Sequence, residues 1–470
     1  MHLLWFRNDL RIHDNPALLH ALKCRVKFAV FFISKQQWQH HHMADIKIDF
    51  MLRHVELLKQ QLASFNVELI TPEVDDFNHQ VEFLKSFCQQ HQCTEIIANK
   101  ELEWDENQRD KNLQQQGLTF KYFESDVIVP KGKVLNKTGQ MYKVFTPFKR
   151  AWLQYVIDHG FEYINKQALS AFDPNNSPLA KAHNERSFTA NHYNTLSAHW
   201  PLAPEQESQQ LAHFLSEQLA DYHQLRDIPS CSGTSRLSPY LAIGAISTRY
   251  LLRQLLQRNP DILHHIDGED FVWLNELIWR EFYRHLMHHF PKLSKDRNFN
   301  GKYDQLNWPN SKIHFQAWCE GRTGYPIVDA AMRQLLKTGW MHNRLRMITA
   351  SFLTKHLLVD WRLGERFFRQ HLIDGDLAAN NGGWQWAAGT GCDAQPYFRI
   401  FNPITQSQRF DPKGLFIRKY LPELESVPAS KIHFPHQYLK QQQITTYWPA
   451  IVDHKEARMK ALDFYKSNIN

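Results

Sequence analysis

The chain has 470 residues, 43% of them hydrophobic, which is enough for two or three domains with separate cores. Its mean hydropathy of −0.52, with no apolar run near the roughly 20 residues that a bilayer requires, excludes a membrane-spanning protein. Charges at Arg7 and Asp9 exclude a signal peptide. Six cysteines without a Cys-x-x-Cys pair predict free thiols in a reducing cytoplasm.

The net charge of +7 is unevenly distributed along the chain. Residues 1–200 hold 23 basic and 22 acidic residues, whereas residues 201–470 hold 32 and 26, together with nine of the 14 tryptophans. A basic, aromatic-rich part is typical of nucleic-acid binding, because arginines neutralise phosphates and rings stack on bases. A helical core with a solvated basic surface explains the same composition, so both interpretations stay open here.

Residues 1–125 alternate between short apolar runs and amphipathic stretches. This rhythm predicts a Rossmann-like, mostly parallel sheet covered by helices. Strands are predicted at 2–6, 26–33, 67–70, 94–98 and 120–123, with helices at 45–64, 78–91 and 104–116. Residues 1–116 contain no glycine, which excludes the glycine-rich turn of a dinucleotide site.

Residues 126–200 are predicted to be an interdomain linker, with polar, turn-prone stretches at 172–178 and 181–187. Residues 201–470 are predicted to form a large all-α domain. Its helices are predicted at 208–225, 239–258, 270–289, 325–337 and 341–358.

The run His40–His42 is the only feature that suggests a metal site. No second ligand cluster has suitable spacing, so we expect a solvent loop and no metal.

The stretch GTSRLSPYLAIGAIS at 233–247 places hydroxyls and Arg236 just before a predicted helix. Free N–H groups and hydroxyls at a helix start favour an anion. Ordinary capping by Ser238, with Pro239 at the first helical position, is the alternative.

Residues 271–290 place a carboxylate among aromatic side chains. Helical spacing puts these side chains on one face: Trp273, Glu276, Arg280, Tyr283 and Met287. Burial would raise the pKa of Glu276 unless a cation or a donor compensates for it. An ordinary ion pair between Glu276 and Arg280, four residues apart, is the alternative.

Two further stretches contain candidate binding groups. Asn343 and Met347 are four residues apart, and the asparagine offers a donor and an acceptor that suit an imide edge such as that of thymine. A buried asparagine satisfied by backbone is equally compatible. In IDGDLAANNGGWQW at 373–386, Asp374 and Asp376 are expected to bind sugar hydroxyls or to cap a helix.

These stretches, with LLWFRNDLRIHDNPAL at the start of the chain and TGYPIVDAAMRQLLKTGWMHNRLRMITASFL at 323–353, resemble the photolyase/cryptochrome family in the same order and nearly end to end. The resemblance is closest to class I photolyases that split cyclobutane pyrimidine dimers. It implies an α/β antenna domain, followed by an all-α domain that holds FAD and binds DNA. In this family, excited reduced FAD gives an electron to the dimer, the ring splits, and the electron returns.

The resemblance also implies the residues that hold FAD. Asn380 matches the residue that faces flavin N5, where a neutral amide adds no negative charge. The other matched positions are Tyr222, Thr234, Ser235, Arg236, Leu237, Ser238, Trp273, Arg280, Asp374, Gly375 and Asp376. Trp384, Trp361 and Trp308 match an electron-relay chain that starts beside the flavin.

For DNA, the resemblance implies that the dimer leaves the base stack and enters a pocket. Glu276 and Asn343 match residues that hydrogen-bond the imide edge. The remaining matched positions are the apolar or aromatic Trp279, Tyr283, Met347 and Trp386, and the phosphate-binding Arg226 and Arg344.

For the antenna, folate-binding members use an asparagine and a glutamate that align with Asp105 and Glu106. The aspartate departs from that pattern, because it lacks the amide donor and adds a charge. Methenyltetrahydrofolate is favoured, and a deazaflavin or no antenna stays open.

The alternatives are a cryptochrome-type photoreceptor and a (6-4) photolyase. The absence of a long tail, Asn380 and the intact lesion pocket disfavour the first. Asn343 and Met347, where (6-4) photolyases place histidines, disfavour the second. We expect a cytoplasmic monomer that acts on UV-damaged DNA and has no membrane partner.

Overall fold

The computed structural model describes residues 1–172 and 196–469, which pack into two compact units. The first comprises Met1–Leu215 and Ser235–Pro291, and the second comprises Ser216–Thr234 and Lys292–Asn470. This division by compactness differs from the predicted boundaries at residues 125 and 200. Those boundaries separate an antenna domain, a linker and a catalytic domain by role, and that assignment stays a prediction.

Buried polar contacts explain why residues after 235 belong with the sheet. The Arg11 guanidinium donates to the Gly244 carbonyl at 2.7 Å, and Arg249 Nε donates to the Asp14 carboxylate at 2.8 Å. Asp14 is fully buried, so these contacts fix the two segments together.

The predicted linker contains regular structure in its described part, namely the helices Phe145–His159 and Lys166–Ser170. Apart from Phe172, the turn-prone stretches at 172–178 and 181–187 lie outside the described residues.

The first unit contains the predicted parallel sheet. Its strands are β1 (His2–Trp5), β2 (Phe28–Val30), β3 (Glu68–Ile70), β4 (Glu95–Asn99) and β5 (Phe120–Phe123). Their order is β3-β2-β1-β4-β5, with Leu3 of β1 opposite Phe28 on one side and Ile96 on the other. The strand order therefore reverses at β1, where the carboxyl ends of β1 and β4 form a switch point.

Helices cover this sheet and continue into the later part of the unit. Asn15 begins the first helix by accepting from Leu18 N at 3.1 Å, with Pro16 at the first position. The helices of the unit, besides the two in the linker, are Pro16–Lys23, Lys35–His40, Asp45–Ala63, Phe77–Gln90, Trp104–Gln115, Ala203–Glu205, Ser238–Ala242, Thr248–Arg258 and Glu269–His289.

The predicted continuous helix at 239–258 is wrong, because the chain turns at Gly244. This residue has φ +66°, and a Cβ placed there would lie 2.0 Å from the Asn8 carbonyl oxygen. Only glycine fits both constraints. Ser247 then caps the second helix by accepting from Arg249 N at 3.1 Å.

Two other predicted helices contain π-helical turns. The stretch predicted at 208–225 forms Gln206–Leu211, Phe214–Gln218 and Tyr222–Leu225, of which the first two are π-helical. The stretch predicted at 341–358 forms the α-helix Asn343–Ser351, followed by the π-helical turn Phe352–His356.

The second unit is helical around one core that contains Trp308, Trp361 and Trp384. Its remaining α-helices are Lys312–Cys319, Pro326–Thr338, Trp361–His371, Leu377–Ala388, Pro403–Phe410, Leu415–Tyr420, His436–Gln441 and His454–Ile469. Its short 3₁₀ turns are Pro291–Lys295, which begins at the last residue of the first unit, Gly301–Gln305 and Pro422–Leu424.

A buried carboxylate, Asp329, joins distant parts of this unit. It accepts from Thr323 N at 2.7 Å and Gly324 N at 3.0 Å, and from Tyr447 Oη at 2.6 Å and Trp448 Nε1 at 2.9 Å. These donors satisfy a carboxylate that burial would otherwise destabilise.

No helix in the described ranges combines the length and the apolar character that a membrane crossing requires.

Candidate functional site

In the first unit, the helix Glu269–His289 carries the predicted face of aromatic and charged side chains. Acidic residues occupy its first turn and histidines its last, as the helix dipole favours. Trp273 is buried, with its indole Nε1 donating to Ser235 Oγ at 3.4 Å and its ring 5.2 Å from that of Phe214. Glu276 is half-buried one turn further on.

Trp279 has one ring face covered by protein. Its ring lies parallel to Phe145 at a centroid distance of 3.6 Å, and Tyr283 lies 5.8 Å away. The indole is half-buried, so its remaining exposed surface is what can pack against a base.

Arg280 donates two hydrogen bonds to backbone carbonyl groups. Its Nη1 donates to the Asp126 carbonyl at 2.6 Å and its Nη2 to the Leu241 carbonyl at 3.4 Å. The guanidinium thus ties neighbouring segments of the unit together, and its predicted role toward FAD stays a prediction.

The turn that precedes the helix Ser238–Ala242 has an unusual backbone at Arg236, with φ +52°. The Arg236 guanidinium lies 4.7 Å from the centroid of the Trp200 ring. Leu237 is the N-cap and contributes no side-chain hydrogen bond, so capping by Ser238 is wrong. Ser238 is instead the first helical residue, with Pro239 second.

The predicted antenna residues lie on the helix after β4. Asp105 Oδ2 is 3.2 Å from His41 Nε2, and Glu106 Oε1 is 3.6 Å from His41 Nδ1. The predicted solvent loop at His40–His42 is confirmed in part: His40 is exposed at the end of a helix, and His41 and His42 form a turn, in which both are half-buried.

Glu106 is a half-buried acid with a buried, unused acceptor atom. Burial, reinforced by Glu103 and Glu101, raises its pKa well above the usual 4.5. Its Oε2 has no hydrogen-bond partner in the part of the chain that the structure covers. A buried orphaned oxygen suits a ligand that brings N–H donors.

A cavity of about 530 Å³ opens beside the same helix, at the carboxyl edge of the sheet, with Gln37, Phe77, Asp105 and Arg109 in its lining. Arg109 packs over the Trp5 ring at 4.3 Å and donates to Glu101 at 2.7 Å. This edge therefore offers both aromatic and charged surface to a chromophore.

In the second unit, Asp376 begins the helix Leu377–Ala388 by accepting from Ala379 N at 2.9 Å, which confirms it as a cap. Asp374 is buried, and Arg346 Nη2 donates to its two oxygens at 3.0 and 2.8 Å. This pairing neutralises the Asp374 carboxylate before any cofactor approaches.

Asn380, on the same helix, is held by Glu365. Its Nδ2 donates to Glu365 Oε1 at 2.9 Å and to the Glu365 carbonyl at 3.1 Å. Burial raises the pKa of Glu365 to about 7, and Arg369 partly offsets this effect. No local pattern connects Glu365 with Asn380, because they are 15 residues apart on different helices.

The helix surface is unobstructed one turn beyond Asn380. A Cβ placed on Gly383 meets no atom within 4 Å. Asn380 and Gly383 share a helix face. Gly383 is exposed, so nothing on this helix covers the surface beside the Asn380 amide.

The three predicted relay tryptophans are buried in one core, and their order as a relay stays a prediction. Trp384 packs against Phe368 at 4.9 Å and Trp318 at 6.0 Å. Trp361 Nε1 donates to Asn298 Oδ1 at 2.9 Å.

Trp308 lies beside the C-terminal helix, 5.2 Å from Phe464 and 6.0 Å from Tyr465 by ring centroids. Trp318 was missed as a neighbour of Trp384, because nothing in their spacing indicates the contact.

The helix Asn343–Ser351 presents its first turn to solvent. His342 caps it by accepting from Arg344 N at 3.2 Å, which leaves Asn343 exposed and Met347 half-buried. The alternative of a buried Asn343 is therefore wrong. Arg344 forms a two-point ion pair with Asp227, at 3.2 and 2.7 Å, so its charge is already partnered.

The remaining predicted residues of this unit are less constrained. Tyr222 is buried, and the Arg226 guanidinium lies 5.6 Å from its ring. Thr234 and Gly375 are half-buried. Trp386 is half-buried too, with Phe401 at 6.5 Å, so part of its ring is available to a ligand.

Comparison with known proteins shows similarity along almost the whole chain. A family model described as DNA photolyase matches residues 2–166, and another described as the FAD binding domain of DNA photolyase matches residues 273–467. A deoxyribodipyrimidine photo-lyase of Vibrio cholerae is 47% identical over 99% of each chain.

Two solved structures share the fold. A class III photolyase from Agrobacterium tumefaciens is 33% identical, with a TM-score of 0.79, over 99% of this chain and 97% of that chain. A Synechocystis cryptochrome is 25% identical, with a TM-score of 0.82, over 99% of each chain.

Proposed function

Because the chain belongs to the DNA photolyase family, we propose that it repairs cyclobutane pyrimidine dimers in DNA with light and bound FAD. The observation that carries this proposal is the 47% identity to a deoxyribodipyrimidine photo-lyase over 99% of each chain. The fold alone does not separate repair from sensing, because a cryptochrome has the same fold with a TM-score of 0.82.

FAD is held, in this proposal, by the residues that match the family's cofactor contacts. Reduced FAD supplies, when it absorbs light, the electron that opens the cyclobutane ring. Asn380 offers a neutral amide, and Arg346 neutralises Asp374, so neither adds uncompensated negative charge. Ser235, Arg236 and Ser238 supply hydroxyls and a cation for the phosphates.

Recognition of the lesion, in this proposal, uses the polar and the apolar residues that match the family's DNA contacts. Glu276 and Asn343 are half-buried and exposed, respectively, so each can hydrogen-bond an imide edge. Trp279, Met347 and Trp386 provide apolar surface for a base that has left the stack. Arg226 and Arg344 bind phosphates, and Asp227 orients Arg344.

For the antenna, we propose methenyltetrahydrofolate. The orphaned Glu106 Oε2 supports it, since it can accept from the N–H donors of a pterin edge. His41 partners Asp105 and so moderates the charge that this position adds. A deazaflavin is the alternative, and the near-ultraviolet absorption of the protein after reconstitution with each compound distinguishes them. We further propose that the protein is a cytoplasmic monomer.

The central test uses purified protein with FAD reduced chemically. An oligonucleotide with one thymine dimer is illuminated with blue light, and restored thymines are measured by chromatography. We expect repair in the light and none in the dark. Protein that binds reduced FAD and the oligonucleotide but leaves the dimer intact in the light would contradict repair and favour a sensor.

A further inference from the structure

The amide of Asn380 has one permitted orientation. Its nitrogen faces two oxygens of Glu365, the carboxylate Oε1 at 2.9 Å and the backbone carbonyl at 3.1 Å. A backbone carbonyl can accept a hydrogen bond but cannot donate one, and the same is true of an ionised carboxylate. The –NH₂ group must therefore face Glu365, which leaves Oδ1 as the atom that Asn380 presents elsewhere.

Glu365 is itself fixed in place. Its side chain is 2% exposed, and Arg369, one helical turn later, places Nε 3.2 Å from Oε2. Arg366 also favours its ionised form, whereas Asp296 opposes it. One oxygen thus contacts Arg369 and the other holds Asn380, a division that rotation of the carboxylate would disrupt.

We propose that Glu365 is a positioning residue that fixes Asn380 with its oxygen toward the flavin, so that this chain prefers reduced over oxidised FAD. The inference rests on the proposed function, in which Asn380 faces N5. Reduced flavin carries a hydrogen on N5, which an amide oxygen accepts. Oxidised flavin has a lone pair at N5, which the same oxygen repels.

The test is the two-electron midpoint potential of bound FAD in the Glu365→Gln variant. Glutamine can donate to Oδ1 of Asn380 as well as accept from its Nδ2, so only the backbone carbonyl of residue 365 still requires the original orientation, and the flipped amide becomes partly populated. We expect about a tenfold loss in the preference for reduced FAD, which lowers the potential by about 30 mV.

Glu281→Gln is the matched control. Glu281 is also fully buried with a pKa raised to about 7 by burial, but its carboxylate accepts from Trp152 Nε1 at 2.6 Å, within the first unit. We expect this variant to unfold at a lower temperature with an unchanged flavin potential. An equal shift in both variants would reduce the effect of Glu365 to general destabilisation and overturn the proposal.

FAD content separates the possible failures. Wild-type protein that binds no FAD contradicts the proposed function itself. Glu365→Gln with full FAD and an unchanged potential overturns only the positioning role. Should that variant fail to fold, Glu365→Asp withdraws the carboxylate from Asn380 while keeping its charge, and the same fall in potential is expected; an unchanged potential there overturns the inference equally.

Discussion

At the scale of single residues, Glu276 tests how the lesion is recognised. The carboxylate is half-buried on an aromatic face, where it can stabilise charge that appears on the dimer only after electron transfer. We expect Glu276→Ala to weaken binding of dimer-containing DNA by about 1.5–3 kcal/mol and to lower the repair quantum yield per bound complex. The yield is measured with pre-reduced enzyme and saturating DNA. An unchanged yield would make Glu276 a binding residue alone.

Trp384 tests the relay. Phenylalanine preserves an aromatic ring against Phe368 and Trp318, so Trp384→Phe should fold and bind FAD. We expect it to lose photoreduction of oxidised FAD, measured by absorption under blue light with an external thiol, because phenylalanine is much harder to oxidise. Repair by chemically reduced protein should persist. Photoreduction at the wild-type rate would exclude Trp384 from the relay.

At this scale, the sequence predicts which side chains share a helix face better than it predicts which side chains from other elements contact them. Helical spacing placed Glu276 with Trp273 and Asn343 with Met347. It could not place Glu365 against Asn380 or His41 against Glu106, because these contacts join different elements whose packing no local period encodes.

At the scale of elements, alanine at two helical glycines, Gly364 and Gly383, should change the free energy of unfolding in opposite directions. A Cβ on Gly364 would lie 2.2 Å from Trp384 Cη2 and 2.5 Å from Leu353 Cδ2, whereas one on Gly383 meets nothing within 4 Å. Gly364→Ala should lower the free energy of unfolding by about 1–3 kcal/mol through overpacking.

Gly383→Ala should instead raise the free energy of unfolding of the FAD-free protein by about 0.4–1 kcal/mol, because it restricts the unfolded chain. Its methyl group occupies the open space beside Asn380, so affinity for FAD should fall. Chemical denaturation and flavin titration measure the two effects. Greater stability with unchanged FAD affinity would place the flavin elsewhere.

The elements themselves were largely predictable. All five strands and their parallel arrangement follow from short apolar runs separated by amphipathic stretches. The break at Gly244 was not, because its cause is the close approach of Asn8, more than 230 residues earlier in the chain. Periodicity describes one segment at a time and contains no information about such an approach.

At the scale of the whole molecule, buried titratable groups predict how stability depends on pH. Burial lowers the pKa of His54 to about 4, where its Nε2 must stay unprotonated to accept from Ala203 N at 3.1 Å. Burial also lowers the pKa of His356 to about 3. The unfolded chain binds these protons near pH 6.5, so the free energy of unfolding falls as pH drops from about 6.5 toward 4 and 3.

Glu281 and Glu365 act in the opposite direction. Their pKa of about 7 in the folded state exceeds the usual 4.5, so their contribution to the free energy of unfolding declines as pH rises from 4.5 to 7.

We expect His54→Gln to flatten the fall in the free energy of unfolding between pH 6.5 and 4, as measured by urea denaturation at several pH values. An acid side as steep as that of the wild type would show that His54 is protonated in the folded protein.

The network around Asp329 also affects when the second unit can complete its fold during synthesis on the ribosome. Its donors Tyr447 and Trp448 follow it by 118 and 119 residues, so at 5–20 residues per second they are synthesised roughly 6–24 s later. During that interval the nascent second unit cannot close around a satisfied carboxylate, and chaperones have time to bind it. A message truncated between these codons would therefore yield a substrate for proteases instead of a partly active fragment.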